Sequence, residues 1–172
     1  MVTVFQNAIG DFSDGGGLAD APSDNARYVR KNGLWVPAIG AKFRATTSTT
    51  QAISAATVTE VNFGTELFDT HNAFSANRFT VPAELNGLYM NFVAALRFAT
   101  NETCEIYIVQ STDGGSNWNS LCQGSSSGVA VNGSVGPVLL VTGHKYAVQT
   151  YSTTTATISD VDMTHFGGFE VF

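Results

Sequence analysis

The chain has 172 residues, a formal net charge of −6, 44% apolar residues and only 13% charged ones. That balance excludes an intrinsically disordered chain, and the length allows one ordinary domain plus an appendage, with about 70% of the unfolded surface buried and no need of a disulfide or metal. The acidic balance also argues against a nucleic-acid partner, which would need a local basic patch.

The best such patch, Arg27, Arg30 and Lys31 with Lys42 and Arg44 beyond, reads as a solvated or docking segment, so no nucleic-acid partner is expected. No apolar run approaches the roughly 20 residues that span a bilayer. Met1-Val2-Thr3-Val4-Phe5 lacks the basic region and long apolar core of a signal peptide. Synthesis in a cytosol without membrane insertion is the expectation.

Residues 1 to 40 differ from the rest. Asp11 to Asp24 holds four Asp, three consecutive Gly, one Pro and two Ser without hydrophobic periodicity, which predicts an extended arm. Tyr28-Val29 and Leu34-Trp35-Val36 then flank Asn32-Gly33, the pattern of a small β-hairpin. A lone hairpin is barely stable in water, so it is expected to lie against something larger.

From Lys42 the pattern is strands and turns. Thr46 to Thr59, rich in Thr, Ser and Ala around Ile53 and Val58, reads as an edge strand or strand pair. Val61-Asn62-Phe63 and Leu67-Phe68 are short alternating pieces, and Phe79-Thr80-Val81 ends at Pro82. Between Leu88 and Ala99 the even positions are uniformly apolar and the odd ones mixed, which predicts a strand with its even face on the core. Glu105–Gln110 and Trp118–Cys122 predict a hairpin about Asp113-Gly114-Gly115. Ser125–Gly136 is a polar stretch with Val129 and Val131 inside it, Val138–Val141 and Tyr146–Tyr151 are strands around Gly143, and Phe166–Phe172 is the last strand. Many short strands at regular spacing, with no amphipathic helix, predict an all-β antiparallel jelly-roll β-sandwich. Cys104 and Cys122 are too few for a zinc site and are expected free and buried, with a disulfide as the alternative because they flank one turn.

From residue 41 the order of motifs resembles the C1q-like domain, a jelly roll shared with tumour-necrosis-factor-like trimers. The residues that carry it are Phe43, Val61-Asn62-Phe63, Phe68-Asp69-Thr70, Phe79-Thr80-Val81-Pro82, Gly87-Leu88-Tyr89, the run Leu139–Val148, and Phe166-Gly167-Gly168-Phe169. The resemblance implies a homotrimer with aromatic contacts around the three-fold axis. It departs from the family at His144-Lys145, where an acidic residue is usual, and in the Gly-rich hairpin at 111–118. Ala19 to Val36 is similar to a short module of bacteriophage fibre and head-fibre proteins, an Ala-Pro-x-Asp followed by Tyr-x-Arg-x-x-Gly-x-Trp, held here by Tyr28, Arg30, Gly33 and Trp35. That likeness implies virion docking through Tyr28, Arg30, Lys31 and Trp35.

Ser111-Thr112-Asp113-Gly114-Gly115-Ser116-Asn117-Trp118 resembles an Asp-box, Ser-x-Asp-x-Gly-x-x-Trp, found repeatedly in sialidase propellers. One copy without an arginine cluster reads as a structural turn, with Asp113, Asn117 and Trp118 the candidate receptor-binding residues. His71, His144 and His165 share no ligand spacing, and Asp160 with Asp162 offers too few oxygens for Ca²⁺. No metal, cofactor or catalytic residue is therefore expected, and no Gly-x-Ser-x-Gly turn marks a nucleophile.

These readings combine into a bacteriophage virion protein made in the host cytoplasm. Residues 1–40 form a docking arm and hairpin, and residues 41–172 form a trimeric jelly roll. Its partners are copies of itself and capsid or tail proteins, as a capsid decoration or short head fibre. The alternative is a tail-fibre tip that binds a host surface protein or glycan.

Overall fold

The computed structural model describes residues 28–31, 34–37, 40–159 and 163–171, the first two stretches by backbone alone. The arm expected over 11–24, the side chains of Tyr28, Arg30, Lys31 and Trp35, and the Asp160/Asp162 pair lie outside the described residues. The chain divides into two units at Ile39/Gly40. In the first, β1 (Tyr28–Lys31) pairs antiparallel with β2 (Leu34–Pro37), with Arg30 opposite Trp35 and Lys31 opposite Leu34. That register leaves two residues between the strands, as an Asn-Gly hairpin requires.

The second unit is a jelly roll. Its strands are β3 (Lys42–Thr46), β4 (Gln51–Ile53), β5 (Thr59–Glu60), β6 (Thr65–Asp69), β7 (Phe74–Ser75) and β8 (Arg78–Thr80). After a single 3-10 turn at Ala83–Leu85 come β9 (Tyr89–Arg97), β10 (Cys104–Ser111), β11 (Asn119–Ser126) and β12 (Ala130–Leu139). The last are β13 (Lys145–Ser152), β14 (Ala156–Ile158) and β15 (His165–Val171). A six-stranded sheet runs β11-β10-β13-β8-β7 with β5 also on β13, and a five-stranded sheet runs β12-β9-β15-β3-β6. β14 and β4 form a small third ladder, and every pairing is antiparallel.

The core lies between the two large sheets. On β9 the even residues Met90, Phe92, Ala94 and Leu96 are buried and the odd ones are not, as the alternation predicts. Phe43 of β3 is the hub: its ring stacks on Phe79 at 4.6 Å and Phe74 at 5.4 Å, and meets Phe166 edge-on at 5.0 Å. Phe92 stacks on Tyr146 at 4.4 Å, and the buried Tyr146 hydroxyl accepts a 2.9 Å hydrogen bond from Gln110 Nε2. Each ring thus keeps offset or edge contacts, and the one polar tip has a partner.

The close of this core explains Phe166-Gly167-Gly168-Phe169. A Cβ on Gly168 would lie 2.7 Å from Phe43 Cε1 and 2.8 Å from Met90 Sδ, so only glycine admits the aromatic hub at that height. Phe166 faces inward and is fully buried, whereas Phe169 faces outward.

Several local expectations shift. The polar stretch 125–136 contributes a long strand: β12 is paired along β9 from Ala130 to Leu139. Its small residues serve close approach, since a Cβ on Gly133 would sit 3.3 Å from Cys122 Sγ and one on Gly124 only 2.2 Å from the Asn132 carbonyl oxygen. Glycine is required where two sheet edges close on each other, and hydropathy carries no trace of that need. Val61 and Phe63 are buried but lie in loop rather than strand. The strand expected over Val138–Val141 is the end of β12, which stops at Leu139. Both cysteines are free, Cys104 buried and Cys122 only partly so. Cys104 stands opposite Ser126 and Cys122 opposite Ile108, four residues apart along β10. That is about 13 Å at strand rise, beyond the ~7 Å Cα separation a disulfide spans.

Candidate functional site

The 111–118 hairpin tip is built around two short side chains. Ser111 Oγ donates to Asp113 Oδ1 at 2.7 Å and accepts the Gly115 N–H at 2.8 Å. Asp113 Oδ1 also accepts the backbone N–H groups of Ser116 (3.1 Å) and Asn117 (2.9 Å), while Oδ2 accepts from Asn117 Nδ2 at 2.6 Å. These donors, the Asn117 backbone N–H foremost, hold the Asp113 carboxyl well below the usual carboxylate range. Gly114 and Gly115 supply the positive φ values, 79° and 103°, that close the turn. Asp113 and Asn117 are thus spent on each other, and the turn is self-contained.

Trp118 is half-buried, and its ring carries the Arg78 guanidinium at 5.1 Å from the ring centroid. Arg78 in turn grips Glu60 with both ends of its fork, Nε to Oε1 at 3.0 Å and Nη2 to Oε2 at 2.8 Å. Phe79 and Val148 point into the core, so Arg78 and Glu60, the partner of Gln149, face outward. On that same outer face Val109 and Ala147 are register partners, buried although outside the main core. Of the three candidate receptor-binding residues, the structure gathers all into one hairpin and commits each to an internal contact.

The histidines lie apart. His71 Nδ1 meets Thr70 Oγ1, His144 Nδ1 meets Gln110 Nε2, and His165 Nδ1 donates to the Met163 carbonyl. Among the described residues no three His, Cys, Asp or Glu side chains converge as a metal site would require, and no helix is long and apolar enough to cross a membrane.

The feature that residue motifs did not single out is the outer face of the five-stranded sheet. Direct partners in an antiparallel ladder share a face. Tyr89 of β9 stands between Leu139 of β12 and Val171 of β15, and Phe169 comes next along β15. All four are exposed, by 48%, 46%, 36% and 49% respectively. Beside them a trough of about 520 Å³ is lined by Asn91, Val93, Ser134, Gly136, Cys122 and Phe169. At its wall the Asn91 side chain packs against Gly136 so closely that a Cβ there would lie 1.9 Å from Asn91 Oδ1. At the far edge β6 exposes Leu67 and Phe68, with the Lys42 ammonium 5.7 Å above the Phe68 ring centroid. The odd positions of β9 hold this face in the sequence, and their mixed polarity concealed it.

No protein-family profile and no curated protein matches the chain. Solved structures do. The Eiger TNF from S. frugiperda superimposes with a TM-score of 0.59 at 11% identity, covering 78% of this chain and 92% of that one. Murine APRIL gives 0.59 at 14% identity, covering 77% and 99%. The globular domain of zebrafish complement 1qA gives 0.53 at 17% identity, covering 77% and 98%. At such identities the likeness is one of fold: the chain carries a jelly roll of the C1q/TNF type.

Proposed function

We propose that the chain is a structural protein of a bacteriophage particle, a homotrimeric capsid decoration or short head fibre. Its jelly roll associates with two further copies, and residues 1–40 attach it to capsid or tail proteins of the virion. The observation that carries the self-association is the contiguous exposed strip Tyr89, Leu139, Val171 and Phe169 beside the trough. An apolar patch of this kind on a sheet face is a marker of an interface. A C1q/TNF-type fold supports the same reading, since the sequence resemblance implies closed three-fold association.

The attachment half rests on the sequence of residues 19–36 and its likeness to phage fibre modules, with Tyr28, Arg30, Lys31 and Trp35 as the docking residues. Trimerisation would multiply a weak contact of each arm through effective concentration. No catalytic residue or cofactor enters this reading.

The test is a chain lacking residues 1–36. It is expected to keep the oligomeric mass of the full chain and to be missing from assembled particles. Incorporation at the level of the full chain would remove the anchoring role.

A further inference from the structure

The outer face of the six-stranded sheet has a chemistry opposite to that of the apolar face. On β10 and β13, Ile106, Ile108, Tyr146 and Val148 point into the core, which turns Glu105, Tyr107, Gln149 and Tyr151 outward. The ladder pairs Glu105 with Tyr151 and Tyr107 with Gln149, so Tyr107 and Tyr151 are diagonal neighbours, their backbones about 7–8 Å apart. β11 adds Gln123 opposite Tyr107. The Tyr107 hydroxyl donates to the Glu105 carboxylate, and that bond, with burial, pushes its pKa up to about 12. The amides of Gln123 and Gln149 and the Tyr151 hydroxyl have no hydrogen-bond partner among the described residues. None of the large exposed apolar side chains belongs to β10, β11 or β13.

We propose that this face binds a neutral glycan, with Tyr107 and Tyr151 as the stacking platforms and Gln123, Gln149 and Glu105 as partners of sugar hydroxyls. A pyranose has an apolar C–H face that suits an aromatic ring, and hydroxyls that both donate and accept. An amide also donates and accepts, and a carboxylate accepts, so each group on the face finds a complement. Charge selects the class of sugar. Beside the tyrosines the face presents Glu105; Glu60 and Arg78 hold each other, and Lys145, the remaining cation of β13 on this face, lies four residues before Gln149, about 13 Å away at strand rise, so a sialylated, sulfated or phosphorylated ligand on the platform would meet the Glu105 charge without a cation beside it. A protein partner would have to desolvate these polar groups without an apolar anchor on β10, β11 or β13, which is costly.

The face is shallow, so each site is expected to be weak. Three copies in one particle component raise the avidity, and only that multiplication rests on the trimer reading.

The experiment is a glycan array carrying neutral and acidic glycans, probed with the full chain and with Y107A/Y151A and Y107F/Y151F, each variant also weighed by light scattering. The expected result is binding confined to neutral glycans, lowered at least about tenfold by the alanine pair and kept by the phenylalanine pair, at unchanged mass. Absence of binding to every neutral glycan, preference for acidic ones, or binding indifferent to Y107A/Y151A overturns the proposal. A change of mass bears on the trimer reading alone.

Discussion

A histidine on a partly covered sheet face is costly to charge. His165 stands on β15 between Ala95 and Thr46, and burial first, then the neighbouring Arg44 guanidinium, lowers its pKa below the ordinary value. The unfolded chain therefore takes up a proton near pH 6.5 that the folded chain takes up only at lower pH. Stability is complete above about pH 6.5 and is lost as pH falls through the folded value. The depressed carboxyls cannot imitate this. Asp113, held by its turn donors, and Glu102, held by the Thr154 and Thr100 hydroxyls, begin to lose their contributions only as pH falls through the ordinary carboxylate value of about 4. His165→Gln is thus expected to flatten the fall in the urea midpoint between pH 7.5 and pH 5. A variant with the wild-type slope would show that another group titrates there.

At the scale of elements, Gly168 joins the last strand to the aromatic hub. Alanine there must displace Phe43, Met90 or Phe92 from a close-packed layer, and overpacking of this kind costs about 1–3 kcal/mol. Gly168→Ala is expected to lower the urea midpoint with an unchanged slope, whereas alanine at Gly114, where a Cβ meets nothing within 4 Å, is strained only by its φ of +79°. The two glycines differ in cause, and the sequence shows only the second kind. Gly114 sits in a turn pattern that names its own conformation, and β9 announces its inward face by strict alternation. Gly124, Gly133 and Gly168 answer to atoms on other strands, so the sandwich edge at β11 and β12 and the trough at Gly136 were not legible. The same holds for the two outer faces: parity separates Tyr107 from Ile108 and Tyr89 from Met90, but only the ladder register places Tyr89 beside Leu139 and Val171.

At the scale of the whole molecule, the two outer faces of the jelly roll differ in chemistry. The five-stranded face gathers Tyr89, Leu139, Val171 and Phe169 with a trough beside them, and the six-stranded face keeps carboxylates, amides and phenols toward water. Association through the first leaves the second outermost. Phe169, exposed and lining the trough, stands at the junction of strip and recess, where an aromatic anchor of an interface belongs. Phe169→Lys puts an ammonium there that must be desolvated on association, and truncations at such anchors cost about 2 kcal/mol or more. The side chain faces away from the core and takes no part in the core cluster, so the core packing of the protomer is kept. The wild-type chain is expected to scatter light as three times 18.2 kDa, and Phe169→Lys as a single chain at micromolar concentration with the same far-ultraviolet circular dichroism. Linkage adds a second readout, since the melting temperature of an associating fold rises with protein concentration and that of the variant should not. A wild-type chain that stays monomeric at every concentration, or a Phe169→Lys trimer, would move the interface off this face.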